Sequence, residues 1–292
     1  MLFDTICIIG VGLIGGSFGI AVRERHLARQ VVGAVRREAT INAAFQRGAV
    51  DNATTDLAYA VRGADLVLLA APVAQIKEFC VQLEPLVRGH VVVTDVGSTK
   101  AEIVRECTRS LGQKAHFIGG HPMAGSELTG VQNARGSLFE NATWVLTPNP
   151  DTPTEAVEKL TALVKGVGAK PIVMDPATHD ALLAITSHLP HITAAALVQL
   201  FASAHENREV TAQLIAGGWR DATRVAAGSP EMWRDICLSN AASISAGIDD
   251  LRQQLQSLRE MLEQGDADGV QQWFEDASTV RRKHGYLPRS TG

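Results

Sequence analysis

Short apolar runs rich in β-branched residues alternate with amphipathic stretches over the first part of the chain, up to residue 174. The runs carry few polar residues, which is typical of strands that are buried on both faces of a parallel sheet. The predicted strands are residues 5–9, 31–35, 65–70, 91–95, 116–119, 143–146 and 171–174. The predicted helices are residues 14–25, 38–47, 73–86, 100–111 and 153–167. This alternation predicts an α/β domain whose mostly parallel sheet has helices on both faces.

The pattern changes after Pro176, where helical periodicity replaces the strand-like runs. Six apolar residues recur there at spacings of four and three: Ile244, Ile248, Leu251, Leu255, Leu258 and Leu262. This 3.5-residue period predicts a long helix with one apolar seam, which packs either inside its own domain or against a second copy of the chain. We therefore predict two domains, an α/β domain over residues 1–175 and an all-helical domain over residues 176–292.

Composition narrows the class of protein. The 292 residues are 46% hydrophobic and 20% charged, as in an ordinary soluble protein. A net charge of −4 without a basic stripe argues against nucleic acid as a partner. The four cysteines are far apart and form no metal-binding spacing, which favours buried, reduced thiols in a cytoplasmic protein: Cys7, Cys80, Cys107 and Cys237.

One apolar segment near the N-terminus, residues 6–22, has the length of an export signal. Asp4 precedes it, no Lys or Arg does, and glycines interrupt it, so a strand that enters a glycine turn explains it better. No later stretch is expected to be long enough to span a bilayer. These features predict a cytoplasmic protein without a membrane partner.

The first predicted strand enters the turn Gly10-Val11-Gly12-Leu13-Ile14-Gly15, and a helical pattern follows. In a G-x-G-x-x-G turn between strand and helix, the first glycine permits the tight turn and the second lets the backbone approach a pyrophosphate. The third glycine allows close packing of helix on strand, and the helix N-terminus faces the phosphates. The context predicts a Rossmann dinucleotide-binding domain, with Gly10, Gly12, Leu13, Ile14 and Gly15 at the cofactor.

The end of the second strand bears on the choice between NAD and NADP. An Asp or Glu that binds the ribose is expected about 20 residues after the glycines, but this chain has Arg36 and Arg37 there. Two guanidinium groups match the oxygens and the charge of a 2′-phosphate, so we predict that NADP is accepted and preferred over NAD. Solvated surface arginines are the alternative.

Three further turns follow predicted strands: one at Ala71 and Pro72, one at Ser98, and one at His121. Because ligands of open parallel sheets bind beyond the carboxyl ends of the strands, these turns are expected to converge on one crevice beside the cofactor.

The residue types in these turns suggest their roles. Thr99 and Glu102 form a T-x-x-E pattern that predicts a capping box, which leaves the hydroxyl of Ser98 free to point into the crevice. His121 lies between two glycines and a proline, with little helix or core around it. We therefore predict a functional histidine at His121.

The helical half contributes more polar residues. His188 and His191 lie at the start of a long apolar helix. Two nearby histidines can also be zinc ligands, but no carboxylate or thiol at suitable spacing supports a zinc site here. No metal is therefore predicted. Arg220 and Arg224 lie four residues apart, and Trp233 follows. The arginines indicate an anionic ligand, most simply a carboxylate. The alternative is that they pair with nearby aspartates, namely Asp221 and Asp235.

Six motifs resemble, in order, those of the prephenate dehydrogenase family, which also includes arogenate and cyclohexadienyl dehydrogenases. The motifs are GVGLIGGS at 10–17, DVGSTK at 95–100, GGHPMAGSE at 119–127, SHLPH at 187–191, DATRVA at 221–226 and MWRD at 232–235. The resemblance covers about residues 4–285. It implies an oxidative decarboxylation of prephenate to 4-hydroxyphenylpyruvate, in which hydride passes to NAD or NADP.

The resemblance also implies roles for single residues. His121 would accept the proton of the ring hydroxyl, and Ser98 would lie between that hydroxyl, His121 and the nicotinamide. Arg224 would bind a substrate carboxylate and His188 would orient the substrate. Arg220 and Trp233 would shape the pocket, from the partner subunit of a homodimer that forms through the helical domain.

Several alternatives stay open. The substrate is prephenate, arogenate or both, because the sequence does not locate the residues that meet the side chain. A β-hydroxyacid dehydrogenase is less consistent with the chain, since the helix that carries His188 has no lysine. A non-catalytic nicotinamide sensor would leave His121, Ser98 and Arg224 without a joint purpose.

Overall fold

The computed structural model describes residues 1–89, 91–125, 128–203 and 208–284. The chain forms two compact units, Met1–Ala241 and a second unit that begins at Ala242. All predicted site residues belong to the first unit. The boundary between residues 175 and 176 that the sequence pattern indicates stays a prediction.

The described residues of the first unit form one eight-stranded sheet with the order β3-β2-β1-β4-β5-β6-β7-β8. Its strands are β1 (Phe3–Ile9), β2 (Ala28–Ala34), β3 (Asn52–Thr54), β4 (Leu66–Leu69), β5 (Val91–Asp95), β6 (Ala115–Pro122), β7 (Thr143–Pro148) and β8 (Lys170–Val173). Neighbouring strands are parallel except β6 and β7. The predicted fold class, an α/β nucleotide-binding domain followed by a helical domain, is confirmed.

Most predicted strands shift by one to three residues at an end, and two differences need an explanation. The short strand β3 lacks an apolar run and was not predicted. Strand β6 extends beyond the predicted end at residue 119 to Pro122, because the antiparallel strand β7 continues the pairing to His121 opposite Val145 and Pro122 opposite Trp144. The functional histidine predicted in a turn therefore lies on a strand.

Helices cover both faces of the sheet, and further helices follow the last strand. In the first unit they are α1 (Leu13–Glu24), α2 (Glu38–Gln46), α3 (Leu57–Ala60), α4 (Val73–Leu83), α5 (Ala101–Leu111), α6 (Thr154–Gly166), α7 (Pro176–Leu183), α8 (Leu189–Ser203), α9 (Arg208–Gln213), α10 (Gly217–Thr223) and α11 (Pro230–Ser239). Alternate residues of β1 enter two different cores: Ile6 and Ile8 pack with the α1 face, and Cys7 and Ile9 with the α4 and α5 face. Burial on both faces explains the continuous apolar runs.

The helical stretch Pro176–Ser203 corrects one expectation. It is 28 residues long, with a window of mean hydropathy 1.5, and is long and apolar enough to cross a membrane by length and composition. Histidines and Pro190 divide the apolar sequence of this stretch, but a π turn (Ala184–His188) joins α7 to α8, so the helical stretch is continuous. Its polar residues His179, Asp180 and His188 are buried and hydrogen-bonded, as in a helix that packs on other protein elements.

The second unit contains the helix α12 (Ala241–Gln264) and the helix α13 (Ala267–His284). The predicted apolar seam lies on α12. Leu255 is 55% exposed and Leu262 is 63% exposed, so these two seam residues have free apolar surface in a single chain.

Candidate active site

The glycine turn between β1 and α1 has a different constraint at each glycine. Gly10 has a φ of +94°, and a Cβ there would lie 2.4 Å from the carbonyl oxygen of Ala70. A Cβ on Gly15 would lie 2.1 Å from the carbonyl oxygen of Gly10, whereas one on Gly12 would have no atom within 4 Å. Gly10 and Gly15 are thus required by close packing, and Gly12 leaves open space at the helix N-terminus.

This open space fits a dinucleotide. Gly12 is the N-cap of α1, and no described side chain caps the helix, so the backbone N–H groups at Leu13 and Ile14 are left for an anionic ligand. The turn at Ala71 and Pro72 follows β4, the neighbour of β1, and Pro72 is the N-cap of α4.

Arg36 and Arg37 lie beyond the end of β2 and are both exposed. Arg37 is the N-cap residue of α2 and has an extended backbone. Among the residues that the structure describes, neither guanidinium has an ion-pair partner. Both side chains are therefore available to a ligand at this edge of the sheet.

The start of α5 differs from the predicted capping box. The hydroxyl of Thr99 lies 2.9 Å from the hydroxyl of Ser239, and Glu102 pairs with Lys77 at 2.7 Å. The carboxylate of Asp180 caps the helix instead, because it accepts the N–H groups of Lys100 at 2.7 Å and Ala101 at 2.8 Å. The predicted capping box is wrong because a local sequence pattern does not show that a side chain from another helix provides the cap.

A buried ion pair holds the Ser98 loop against strand β6. The carboxylate of Asp95 accepts the N–H of Gly97 at 2.8 Å and that of Gly120 at 2.9 Å. It also pairs with the ammonium group of Lys100, and both side chains are fully buried. One carboxylate thereby positions the half-buried Ser98, which follows β5, and the buried His121, near the end of the neighbouring strand β6.

His121 is 8% exposed, and one nitrogen of its ring is within hydrogen-bond distance of another histidine. Its Nδ1 lies 2.9 Å from Nε2 of His179, whose Nδ1 lies 2.8 Å from Oδ1 of Asp180. Burial lowers the pKa of His121 well below its usual value, the positive charge of Lys100 lowers it further, and a proton on His179 or His188 would do the same. A histidine of this kind is neutral at neutral pH and can accept a proton.

His188 is oriented by Asn240. The amide nitrogen of Asn240 donates to the carbonyl oxygen of Asp180 at 2.8 Å and lies 3.2 Å from Nδ1 of His188. Because the amide donates, Nδ1 of His188 accepts and its Nε2 carries the hydrogen. Burial lowers the pKa of His188, and the nearby Asp180 opposes that shift. The neutral ring therefore presents an N–H donor.

Trp233 lies beside the two histidines of the α7–α8 stretch. Its ring stacks on His191 with centroids 3.6 Å apart, and its centroid is 6.2 Å from that of His188. The indole Nε1 is buried and has no hydrogen-bond partner among the residues that the structure describes. A buried donor without a partner is a candidate for contact with a ligand.

Arg220 and Arg224 are exposed, and the α-helix that carries Arg220 ends before Arg224. Arg220 lies on α10, which ends at Thr223, and Arg224 begins a 3₁₀ turn. Within the described part of the chain neither pairs with an aspartate, since the partner of Asp235 is Arg234. No described contact joins either arginine to His121.

The structure thus brings together His121 and His188, and places Ser98 at the end of the neighbouring strand. Three buried residues that sequence reasoning did not single out complete the cluster: His179, Asp180 and Asn240. A signal existed for two of them, because His179-Asp180 is a polar pair in an otherwise apolar helix. The last two residues of the GGHPMAGSE motif, Ser126 and Glu127, lie outside the described residues, in which no cluster suited to a metal ion occurs.

Comparisons with known proteins match one family along most of the chain. The model of the prephenate dehydrogenase nucleotide-binding domain matches residues 18–173, and that of the prephenate dehydrogenase dimerization domain matches residues 175–276. Prephenate dehydrogenase from Bacillus subtilis is 37% identical over 98% of this chain and 78% of its own length. Cyclohexadienyl dehydrogenase from Zymomonas mobilis is 33% identical over 96% of each chain.

Solved structures show the same likeness. Aquifex aeolicus prephenate dehydrogenase, in complex with hydroxyphenyl propionate and NAD+, superimposes with a TM-score of 0.90 at 29% identity, over 96% of this chain and 98% of the other. Synechocystis arogenate dehydrogenase gives a TM-score of 0.87 at 30% identity, over 96% and 99% of the two chains. The sheet, the glycine turn and these matches agree, and the chain belongs to the prephenate dehydrogenase family.

Proposed function

We propose that this protein is a prephenate dehydrogenase, which converts prephenate to 4-hydroxyphenylpyruvate and carbon dioxide and passes a hydride to a nicotinamide cofactor. The observation that carries the proposal is the placement of His121. It is a buried histidine with a lowered pKa at the edge of the sheet where the glycine turn opens. Membership of the family supplies the substrate class.

In the proposed reaction, His121 accepts the proton of the hydroxyl on C4 of the substrate ring. A bound nicotinamide supplies the acceptor for the hydride that leaves C4. The bond between the ring and its carboxylate then breaks as carbon dioxide leaves, its electron pair enters the ring, and the phenolate oxygen takes a proton back. A neutral histidine lowers the barrier because a carbonyl group develops at C4 as hydride departs.

Other residues are proposed to hold the substrate. Ser98 would donate to the C4 oxygen and keep it in line with His121, from the end of the neighbouring strand. His188 presents an N–H donor, and the indole N–H of Trp233 is buried with no hydrogen-bond partner in the described parts of the chain. Arg224 would bind a substrate carboxylate and Arg220 would shape the entrance, since neither pairs with a described aspartate.

The cofactor is a nicotinamide dinucleotide, and we propose that NADP is preferred over NAD. The open space at Gly12 and the uncapped N-terminus of α1 fit the pyrophosphate. The guanidinium groups of Arg36 and Arg37 at the end of β2 are exposed and have no ion-pair partner among the described residues, so they suit a 2′-phosphate. Gly10, Gly15, Leu13, Ile14, Ala71 and Pro72 would complete this part of the site.

A second substrate is favoured by a specific observation, because the similar enzymes include a cyclohexadienyl and an arogenate dehydrogenase. One assay decides the matter. Initial rates at 340 nm are measured with prephenate or arogenate, each with NAD or NADP. We expect the highest kcat/KM with prephenate and NADP. A higher kcat/KM with arogenate would reassign the substrate, and one with NAD that exceeds that with NADP would refute the role of the arginines.

We also propose a cytoplasmic homodimer that forms through the helical half of the chain. The dimerization-domain model matches residues 175–276, and the seam residues Leu255 and Leu262 of α12 are exposed in a single chain. A long apolar seam on a surface helix is stable in water when a second helix covers it.

A further inference from the structure

Three buried side chains form a continuous hydrogen-bonded row behind the substrate-facing side of His121. Nδ1 of His121 lies 2.9 Å from Nε2 of His179. Nδ1 of His179 lies 2.8 Å from Oδ1 of Asp180. His179 has no exposed surface and Asp180 is 2% exposed, so no bulk water competes for these contacts.

The direction of each hydrogen bond follows from the chemistry of the last member. A carboxylate only accepts, so Nδ1 of His179 carries the hydrogen that is donated to Asp180. When that hydrogen is the only one on the His179 ring, Nε2 has a lone pair and can only accept. In this form of His179, Nδ1 of His121 is the donor, and the lone pair of the neutral His121 ring lies on Nε2.

Asp180 is itself held rigidly. Its two oxygens accept the N–H groups of Lys100 at 2.7 Å and Ala101 at 2.8 Å, at the start of α5. Its carbonyl oxygen accepts from Asn240 at 2.8 Å. The donors to the carboxylate are both at the start of α5, so the carboxylate cannot rotate away without breaking its bonds to that helix.

We propose that Asp180 and His179 are positioning residues, which hold His121 in the tautomer with hydrogen on Nδ1 and so leave Nε2 free to take the substrate proton. The inference rests on the proposed role of His121 as the base. It adds a row of residues that would set the tautomer and the orientation of His121 before substrate binds. The row would also orient the imidazolium that forms, because its Nδ1–H keeps an acceptor throughout.

The charged and titratable groups around His121 are consistent with this arrangement. The positive charge of Lys100, from the loop before α5, disfavours a charge on His121, and a proton on His179 of α7 or His188 of the π turn would also disfavour it. Asp95 balances the charge of Lys100, and Asp180 lies behind His179. His121 therefore starts neutral, and its tautomer decides whether it can act.

A pair of substitutions at His179 tests the proposal. His179→Leu removes the acceptor, and we expect kcat to fall by at least about 10²-fold, since a wrong histidine tautomer in a Ser–His–Asp site costs about 10⁴. The KM values for prephenate and cofactor should change by less than about threefold. His179→Gln places a carbonyl oxygen where Nε2 stood, and kcat should stay within about tenfold of the parent. Equal losses in both folded variants would overturn the proposal.

A spectroscopic measurement reads the tautomer directly and needs no catalysis. The protein is labelled with ¹⁵N-histidine, and the His121 signals are identified by their absence from His121→Asn. We expect hydrogen on Nδ1 and a lone pair on Nε2 at pH 8 in the protein without substrate. Hydrogen on Nε2 would overturn the proposal even where a His179 variant fails to fold. If Nδ1 carries the hydrogen but neither prephenate nor arogenate is oxidised, the proposed function fails and the positioning row stands.

Discussion

At the scale of the residue, burial decides what His121 can do. Its imidazole lies near the ammonium group of Lys100 and the rings of His179 and His188, and burial with these neighbours lowers its pKa. An exposed histidine titrates near pH 6.5 and is partly protonated near neutral pH. The buried ring of His121 is neutral at that pH, which is the form that a general base requires.

Replacing the base should affect turnover far more than binding. We expect His121→Asn to lower kcat by about 10²–10⁴-fold, the usual contribution of a general base, because the amide cannot accept the proton. The dissociation constant for prephenate should change by less than about threefold. Steady-state kinetics and equilibrium binding measure the two quantities.

A matched control is His26→Asn. His26 is exposed and has a φ of +52°, a conformation that asparagine tolerates well, so activity and stability should both be unchanged. Turnover of His121→Asn close to that of the parent would contradict the assignment of the base.

The lowered pKa of His121 also predicts how activity depends on pH. Protonation of the free enzyme removes the base, and a lowered pKa means that protonation occurs only at lower pH. The acid limb of kcat/KM should therefore fall below pH 6.5, the ordinary histidine value. A profile from pH 4.5 to 8 measures this, and a limb at or above 6.5 would contradict it.

At the scale of the element, the turn between β1 and α1 separates packing from ligand binding. Gly15 meets backbone atoms of its own turn, while Gly12 faces open space. Both residues are required by the G-x-G-x-x-G pattern, but for different physical reasons. Only the structure distinguishes the glycine that stabilises the fold from the glycine that leaves room for a ligand.

The difference predicts opposite outcomes for two alanine substitutions. Gly12→Ala should leave Tm within about 2 °C of the parent and raise the Kd for the cofactor at least tenfold, because its methyl group occupies the space beside the helix N-terminus. Gly15→Ala should lower the free energy of unfolding by about 1–3 kcal/mol, the usual cost of overpacking. Thermal melting and cofactor titration check both; unchanged cofactor affinity in Gly12→Ala would contradict the proposed site.

At the scale of the whole molecule, the helical half leaves apolar surface uncovered. In addition to the seam residues of α12, the stretch 176–203 has exposed apolar side chains: Ile185 is 63% exposed and Leu200 is 68% exposed. The same stretch is long and apolar enough to cross a membrane by length and composition, and only 22% of its most apolar window is buried. A second copy of the chain would cover such surface, in keeping with the dimerization-domain match.

The seam can be tested by adding charge to it. Leu255→Glu should weaken dimerisation by at least about tenfold, since a symmetric interface would bury two unpaired carboxylates. Sedimentation measures the dissociation constant, and circular dichroism should show unchanged helix content. Gln253→Glu, an exposed residue beside the seam on α12, is the matched control and should leave the dimer intact. An unchanged constant for Leu255→Glu would place the interface elsewhere.

Much of the fold and part of the site could be predicted because their signals are local. The apolar runs, the glycine turn and the helical period depend on neighbours a few residues away, so periodicity reveals them. His121 and Ser98 were predicted for a similar reason, since each directly follows an apolar run. Strand β3 was missed because it is short and carries no such run.

The amino-acid sequence by itself determined the α/β class, the nucleotide-binding turn and the family, because these depend on local patterns and ordered motifs. Tertiary structure decided what surrounds the reacting groups. The contact of His121 with His179 spans 58 residues, and the cap that Asp180 provides to Lys100 spans 80. Such contacts arise when distant elements pack together, and no local spacing encodes them. The tautomer of His121 is therefore a property of the folded chain.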